Sequence, residues 1–365
     1  MALGKTKAAG WIVSLALALW LALLCTTSAA DPPKSSARPM YWGAWIGTQL
    51  TGTQPPFDMS AISQFEAGIG KGLSLIEFAS PFADCGHGPC SFYQFPAGGM
   101  ESIRSYGAIP FFSWGSQFTP WDSGEPGANA RNISLAGIVN GSYDSYIQGF
   151  AREVAAWGHP FFLRFDWEMN GNWFPWSSSV GGNRPRQFVA AWRHVHDIFT
   201  ASGATNATWA WCPFSEARPK ARYLRSFYPG NRYVDWTCLD GYNWGTNSVH
   251  PRPWRSFDQI FASAYELVTQ KIAPGKPMVL GEIASGSRGG SKALWIRQMM
   301  NALPKRYPKV RGLVWFDTFD RGIDWPLESS PAGLRAFARG IKARRLGYTA
   351  NEYSTIATSP IQPPG

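Results

Sequence analysis

Eight short apolar runs, separated by segments of helical period, constrain this 365-residue chain more than any other feature of its sequence. The runs are rich in the aromatic and β-branched residues that favour β-strands. They are YWGAWIG from Tyr41, SLIEFAS from Ser74, IPFFSWG from Ile109, FFLRFDWE from Phe161, TWAWCP from Thr208, VDWTCLDGYNW from Val234, PMVLGEIAS from Pro277 and GLVWFDTF from Gly312. Strands that alternate with helices over roughly 300 residues predict an α/β fold, a single (β/α)8 TIM barrel.

The segment between the fourth and fifth runs shows the helical period most clearly. Phe188, Trp192, Val195 and Phe199 fall on one helical face, and Gly203 follows as a stop signal. A doubly wound open sheet is the alternative architecture. Such a sheet usually has a glycine-rich phosphate loop after its first strand, and YWGAWIGTQL does not resemble one.

The two ends of the chain differ from its centre. Residues 1–30 carry Lys5 and Lys7, then an apolar run, then small residues before Asp31, which is typical of a signal peptide cleaved after Ala30. We therefore expect a secreted, periplasmic or cell-surface protein with no membrane attachment after cleavage. Residues 31–39 are predicted to be a linker, 40–346 the barrel domain, and 347–365 a loose C-terminal tail.

The cysteines suggest one disulfide. Cys85 and Cys90 lie close together in the loop CGHGPC, and an oxidising compartment favours a bond between them. Cys212 and Cys238 lie inside apolar runs, so we expect them to be buried thiols.

Charge and motifs exclude several classes of function. The net charge is +10, but no Lys/Arg-rich block resembles a nucleic-acid-binding arm, so we expect no nucleic-acid partner. The five histidines show no zinc-type spacing, and neither a P-loop nor a G-x-S-x-G elbow is present. We accordingly expect no catalytic metal and no cofactor.

Polar side chains gather at the ends of the fourth and seventh runs, where active sites of such barrels form. Side chains alternate along a strand, which places Arg164, Asp166 and Glu168 on one face at the end of the fourth run. In the seventh run, Glu282 follows the apolar residues Val279 and Leu280 and then Gly281. Strands three apart lie on nearly opposite sides of a barrel, so Glu168 and Glu282 are predicted to face each other. Facing carboxylates are typical of glycoside hydrolysis, although a barrel core also buries Arg/Glu pairs with no catalytic role.

The surroundings of the two glutamates differ. Trp167 and Trp173 flank Glu168, and desolvation by these rings would raise its pKa so that it holds a proton. On the other side, Arg164 and Tyr242 are expected to reach Glu282 and keep it ionised. Asp166 is predicted to contact the substrate as well. Trp167, Trp244 and Trp315 are further predicted sugar contacts, because aromatic faces stack on the C–H faces of sugar rings.

The chain resembles glycoside hydrolase family 26, which includes many β-mannanases. The matching elements are FEAGIGKG and FASPF, RFDWEMNGNWFPW, YPGNRYVDWTCLDGYNWG, PMVLGEIAS and GLVWFD. The resemblance implies that Glu168 is the acid/base and Glu282 the nucleophile. It also places Trp173 and Tyr242 in the sugar site nearest the scissile bond, with Arg164 supporting the nucleophile.

One position departs from the family pattern. The family usually has a histidine immediately before the acid/base glutamate, and this chain has Trp167 there. An indole N–H donates a hydrogen bond but neither accepts one nor titrates, so a role that needs histidine is lost or moved.

These observations favour a secreted, monomeric, retaining endo-β-glycanase whose partner is its polysaccharide substrate, with β-1,4-mannan as the first expectation. A β-1,3-1,4-glucanase or a β-1,3-xylanase of the same family are alternatives. A catalytically inactive carbohydrate-binding surface protein is a further one.

Overall fold

The computed structural model describes residues 1, 38–86, 89–119, 133–178, 180–215, 220–246, 252–343, 347 and 351–365. The predicted signal peptide, apart from Met1, and most of the predicted linker lie outside the described residues. Within these ranges, the helices are all too short or too polar to span a lipid bilayer.

All eight apolar runs form parallel β-strands of one closed barrel, as predicted. They are β1 (Tyr41–Ile46), β2 (Leu75–Asp84), β3 (Ile109–Thr119), β4 (Phe161–Phe165), β5 (Ala207–Trp211), β6 (Trp236–Asn243), β7 (Met278–Ser285) and β8 (Val310–Asp317). Each strand pairs with its neighbours in sequence, and β1 pairs with both β2 and β8, which closes the sheet. A short strand at Ser91–Phe92 pairs antiparallel with the end of β2, and Phe319–Asp320 pairs with Ile323–Asp324 in a hairpin after β8.

Helices follow each strand of the barrel. They are α1 (Ser60–Ile69), α2 (Ala97–Tyr106), α3 (Leu135–Val139), α4 (Asp144–Trp157), α5 (Pro185–Ala201), α6 (Ala221–Arg225), α7 (Phe257–Glu266), α8 (Lys292–Arg306) and α9 (Pro331–Ala343). A π-helical turn at Leu267–Ile272 continues α7, and 3₁₀ turns lie at Asn231–Tyr233, Leu327–Ser329 and Tyr353–Thr355. The face of α5 predicted from its period is buried, and α5 ends before Gly203, whose φ of 79° suits glycine.

The barrel wall has an irregularity in β7 that positions the site. Leu239 of β6 pairs with Leu280, but the next residue, Asp240, pairs with Glu282, so Gly281 is an extra residue in β7. A Cβ at Gly281 would lie 2.4 Å from the sulfur of Cys238, which leaves room only for glycine. Bulges of this kind redirect the side chain that follows them.

The chain has two disulfides among its described residues. Cys85 and Cys90 are bonded, which confirms the prediction from their spacing. The expectation of buried thiols at Cys212 and Cys238 is wrong, because these residues form the second bond. Cys212 follows β5 and Cys238 lies in the neighbouring strand β6, and this adjacency brings their Cα atoms to 4.2 Å.

The structure corrects the expectation of a loose tail after residue 346. Ile361 is buried, its carbonyl accepts a hydrogen bond from the indole of Trp236 at 2.8 Å, and its N–H donates to Thr208 at 2.8 Å. Trp236 and Thr208 lie at the starts of β6 and β5, so the segment packs across the amino-terminal end of the barrel. A short apolar anchor inside a proline-rich stretch gives no periodic signal in the sequence.

We predict that Ile361→Ala lowers the free energy of unfolding by about 2 to 4 kcal/mol, because it leaves a cavity under the strand ends. Chemical denaturation followed by tryptophan fluorescence measures the change. The adjacent Gln362 is exposed, and Gln362→Ala is the matched control, with an expected change within about 0.5 kcal/mol. Equal stability of the Ile361 variant and wild type would show that the segment does not pack in solution.

Candidate active site

Arg164, the residue before the last of β4, is fully buried and contacts several polar groups inside the barrel. Its Nη1 donates to Oδ2 of Asp240 at 2.9 Å, and its Nε donates to the hydroxyl of Ser113 at 2.8 Å. Its Nη2 donates to Glu282 and lies 2.8 Å from Oε1 of Glu77. Five strands, β2, β3, β4, β6 and β7, therefore meet at one guanidinium.

The cluster contains three carboxyl groups and one cation. Burial raises the pKa of both Glu77 and Asp240 well above the usual range, in spite of the attraction of Arg164. The pKa values rise because a low-dielectric interior disfavours negative charge, and Arg164 alone is shared among three acids. Glu77 lies within β2 and Asp240 within β6, and the structure brings both into contact with Arg164.

Glu282 follows the bulge in β7 and has both carboxylate oxygens engaged. Arg164 donates to Oε1, and the phenol of Tyr242 donates to Oε2. Burial, followed by the charge of Glu282, raises the pKa of Tyr242 well above its usual value, so the phenol stays a donor. These contacts are the ones expected from the sequence, and they fix the orientation of the carboxylate.

Glu168 lies beyond the end of β4, with a φ of 52° that is uncommon for a non-glycine residue. Its N–H donates to the carbonyl of Cys212 at 2.7 Å, which holds this backbone conformation. Its Oε2 accepts the indole N–H of Trp173 at 2.5 Å. Burial, and then the charges of Asp240 and Glu282, raise the pKa of Glu168 well above its usual range. These surroundings favour the protonated form of the Glu168 carboxyl.

Trp173 is held from two sides. A Cβ at Gly171 would lie 2.6 Å from the indole of Trp173, so this glycine is required for the ring to lie where it does. On the other side, the ring of Phe214 meets the indole edge-on at 5.0 Å. Asn170 fixes Phe214 by a reciprocal pair of hydrogen bonds, each of 2.8 Å, to its carbonyl and N–H.

Two residues predicted to contact substrate do not reach the barrel mouth. Asp166 is fully buried and accepts hydrogen bonds of 2.7 Å from the N–H and the hydroxyl of Ser116. Burial raises the pKa of Asp166 to about 8, although the bonds from Ser116 lower it. β4 ends at Phe165 and Asp166 has a φ of 43°, so the strand alternation used in the prediction stops before this residue.

The prediction for Trp315 is also corrected. Its side chain is fully buried between β8 and the helical layer, against Trp295 and Phe337. Strands buried on both faces read as continuous apolar runs, so the sequence does not show which residues of β8 face inward.

The other predicted aromatic residues lie near the cluster. The guanidinium carbon of Arg164 is 4.9 Å from the centre of the Trp167 ring, which is largely buried. Trp244 is half-buried and meets the ring of Tyr242 edge-on at 5.8 Å. Their roles toward substrate remain predictions.

Sequence reasoning missed an aromatic pair in the mouth of the barrel. Trp45 of β1 and Phe316 of β8 are half-buried and nearly parallel, with ring centres 6.1 Å apart. Phe316 also contacts the ring of Tyr242 at 5.5 Å. The signal that identifies the pair is the register between strands, which the sequence alone does not contain.

One group of potential metal ligands lies within the described part of the chain. The sulfurs of Cys212 and Cys238 and a carboxylate oxygen of Asp240 are within 4.8 Å of one another. The two sulfurs form a disulfide, and metals bind thiolates, so these residues do not fit a metal centre.

A glutamate with a raised pKa, Glu168, and a glutamate anchored by two donors, Glu282, thus lie at the carboxyl ends of strands of a (β/α)8 barrel. The charge of Glu282 contributes to the raised pKa of Glu168, so the two groups interact. An acid beside a second carboxylate is the arrangement that glycosidic bond hydrolysis requires.

Comparison with known proteins also indicates a glycoside hydrolase. Residues 91–284, more than half of the chain, match the profile of Glycosyl hydrolase family 26. The chain belongs to this family and is a glycoside hydrolase by family, which confirms the resemblance seen in the sequence.

Two curated relatives match much of the chain. Endoglucanase H of Acetivibrio thermocellus is 33% identical over 304 residues, which cover 82% of this chain and 30% of the relative. A mannan endo-1,4-beta-mannosidase of Bacillus subtilis strain 168 is 24% identical over 233 residues, which cover 62% of this chain and 58% of the relative. The chain therefore spans less than two thirds of the length of either protein.

A solved structure supports the fold. The Cellulomonas fimi endo-beta-1,4-mannanase double mutant superposes with a TM-score of 0.63 at 17% identity, covering 90% of this chain and 77% of that chain. At this identity the likeness concerns the barrel architecture.

We predict that Trp173→Phe moves the basic limb of the kcat/KM profile to higher pH by about one unit. The indole N–H stabilises ionised Glu168 and so lowers its pKa. Removing the donor raises that pKa further, and an acid with a higher pKa keeps its proton to higher pH. The pH dependence of kcat/KM on a soluble substrate measures the shift.

Trp157→Phe is the matched control. Its indole also donates to a glutamate, Glu101, at 3.3 Å, but on the helical layer rather than in the mouth. An unchanged profile is expected for it. If the basic limb of the kcat/KM profile stays in place or moves to lower pH in the Trp173 variant, Glu168 is not the acid that sets this limb.

Proposed function

We propose that this protein is a secreted, retaining endo-β-glycanase in which Glu168 is the acid/base and Glu282 the nucleophile. The observation that carries the proposal is the asymmetry of the two groups. Glu282 is bound by a guanidinium and a phenol, whereas Glu168 is buried beside like charges with a raised pKa. Such a pair supplies one proton donor and one carboxylate for the same bond.

In the first step, an oxygen of Glu282 attacks the anomeric carbon of the sugar. The bond from that carbon to the bridging oxygen breaks, and Glu168 transfers its proton to the departing oxygen. The leaving sugar chain departs as an alcohol, and the remaining sugar is held as an ester of Glu282. The hydrogen bond from Trp173 then stabilises the newly ionised Glu168.

In the second step, Glu168 acts as the base. It removes a proton from a water molecule whose oxygen attacks the anomeric carbon on the face that the leaving group vacated. The ester bond to Glu282 breaks and the carboxylate returns to Arg164 and Tyr242. The two substitutions together retain the anomeric configuration.

We place β-1,4-mannan first among the substrates. The support is the name of a relative, since the Bacillus subtilis protein is a mannan endo-1,4-beta-mannosidase by name. A β-glucan is the second candidate. The relative at 33% identity is named an endoglucanase, and Trp167 stands where mannanases of the family usually have histidine.

Secretion is part of the proposal. The charged start, apolar run and small residues before Asp31 support it, as does the presence of two disulfides, which persist in oxidising compartments. Expression in a secreting host tests this directly, because amino-terminal sequencing of the exported protein should begin at Asp31. Export with residues 1–30 still attached would contradict it.

We predict that Glu282→Ala loses several orders of magnitude of kcat on every substrate, on the order of 10⁴-fold or more, because the atom that forms the ester is gone. Glu168→Ala should spare the first step for a dinitrophenyl glycoside, whose leaving group departs without a proton. A burst of dinitrophenol followed by slow turnover is expected. Azide should restore turnover of this variant and give a β-glycosyl azide.

The assay panel contains β-mannan, mixed-linkage β-glucan and β-1,3-xylan. Glu101→Ala, which removes a partly exposed glutamate on α2, is the control and should keep wild-type activity. An α-glycosyl azide from the Glu168 variant would exchange the two roles. Full activity of both Glu168→Ala and Glu282→Ala would contradict the proposed mechanism. Binding of a polysaccharide by wild type without turnover would favour the inactive carbohydrate-binding protein instead.

A further inference from the structure

Lys292, the first residue of α8, is buried where a cation is not favoured. Its side chain is 1% exposed, and burial lowers the pKa of the ammonium group to about 8. The amino-terminal end of a helix also carries the positive pole of the helix dipole, which repels a cation. Contacts outside the helix must therefore stabilise the charge of this side chain.

The ammonium group of Lys292 binds the segment that follows β8. Its Nζ donates to the carbonyl of Asp324, to the carbonyl of Pro326 at 2.9 Å and to the hydroxyl of Ser329 at 2.8 Å. A carboxylate oxygen of Asp324 lies 3.9 Å away and compensates the charge. An ammonium group has three donor hydrogens, and these three acceptors match them.

The two carbonyls that Lys292 binds belong to the residues on either side of Trp325. The carbonyl of Trp325 itself accepts the indole N–H of Trp315 at 3.1 Å. Trp325 lies between the strand Ile323–Asp324 and the 3₁₀ turn Leu327–Ser329, outside regular secondary structure. Hydrogen bonds from Lys292 and Trp315, rather than a helix or a ladder, therefore fix the backbone that carries the Trp325 ring.

The ring of Trp325 packs against the phenol that binds Glu282. It is 1% exposed, and its centre lies 5.3 Å from the centre of the Tyr242 ring. Tyr242 in turn donates to Oε2 of Glu282. A displacement of about 1 Å in groups that orient a reaction can lower its rate about 100-fold. The orientation of the Tyr242 phenol thus depends on how firmly Trp325 is held.

We propose that Lys292 is a positioning residue for hydrolysis, which acts through Trp325 and Tyr242 on the carboxylate of Glu282. This inference rests on the proposed function and extends it. By holding the two carbonyls that flank Trp325, the ammonium group keeps the phenol in place while Glu282 forms and releases the ester. A purely structural lysine would instead stabilise the fold without affecting the chemistry of the folded molecules.

Lys292→Met tests this role, because methionine keeps an apolar stem of similar length and removes the ammonium group. We expect kcat on a dinitrophenyl glycoside to fall about tenfold and KM to change less than about twofold, since the variant disturbs Glu282 rather than uniform binding of the sugar. The glycoside is of the manno or the gluco series, whichever wild type hydrolyses. An unchanged kcat would overturn the proposal.

A double-mutant cycle with Tyr242→Phe separates positioning from a structural role. Tyr242→Phe removes the hydroxyl through which Lys292 is proposed to act. In this background we expect Lys292→Met to lower kcat less than about twofold, because the hydrogen bond that it disturbs is already absent. A structural loss would instead lower the amount of active enzyme equally in both backgrounds. A tenfold loss in both would therefore overturn the proposal.

Arg193→Met is the control. Arg193 of α5 also donates to a backbone carbonyl, that of Pro229 at 2.8 Å, but on the helical layer, and its replacement should change neither kcat nor KM. Thermal melting verifies that every variant is folded at the assay temperature. If Lys292→Met does not fold, Trp325→Phe replaces it in the cycle, with the same expected loss and the same dependence on Tyr242. Additive losses would again overturn the proposal.

The failure of this inference and the failure of the proposed function give different results. Additive losses in an active enzyme overturn only the positioning role. If wild type hydrolyses no polysaccharide, fluorine NMR of protein labelled with 3-fluorotyrosine decides, with the Tyr242 resonance assigned by its loss in Tyr242→Phe. A shift of this resonance in Lys292→Met and none in Arg193→Met supports the positioning of Tyr242 by Lys292. No shift in Lys292→Met, or equal shifts in both variants, overturns it.

Discussion

The buried charge of Arg164 is the constraint on which the rest of the site depends. A buried guanidinium is stable only if polar groups surround it, and here four strands, β2, β3, β6 and β7, supply three carboxyl groups and one hydroxyl. Removing one partner of such a buried pair typically lowers the stability of a protein by about 3 to 5 kcal/mol. A change of strand register that separated Arg164 from its partners would therefore be strongly destabilising. The closure of the barrel and the position of Glu282 therefore depend on the same group.

The same constraint separates the two glutamates chemically. Arg164 and Tyr242 donate to the two oxygens of Glu282, whereas Glu168 accepts the indole N–H of Trp173 and lies within reach of the charges of Asp240 and Glu282. One cation shared among several acids thus produces a carboxylate and a proton donor side by side. Two local departures from regular strand geometry position Glu168 and Glu282 near each other. They are the bulge at Gly281 and the left-handed backbone conformation of Glu168.

The sequence predicted the parts of the structure that depend on periodicity. All eight strands, the face of α5, and the contacts of Arg164 and Tyr242 with Glu282 followed from runs, spacing and strand ends. What it did not predict depends on register or on the point where a strand stops. The alternation of side chains along β4 did not extend to Asp166, because the strand ends at Phe165. The sequence did not show that Trp315 of β8 faces the helical layer. Trp45 and Phe316 come together only because β1 pairs with β8. The bond between Cys212 and Cys238 and the anchoring of Ile361 likewise join segments distant in sequence.

The central claim is that Glu282, anchored by Arg164 and Tyr242, is the nucleophile, and the stereochemistry of the first product tests it most directly. A carboxylate that forms an ester with the sugar leads to two inversions and so to a β-configured product, whereas a carboxylate that only activates water leads to one. Proton NMR of the anomeric region during the first minutes of oligosaccharide hydrolysis distinguishes the two before mutarotation. We predict that the β-anomer appears first. Initial release of the α-anomer would contradict the assignment of Glu282 as the nucleophile.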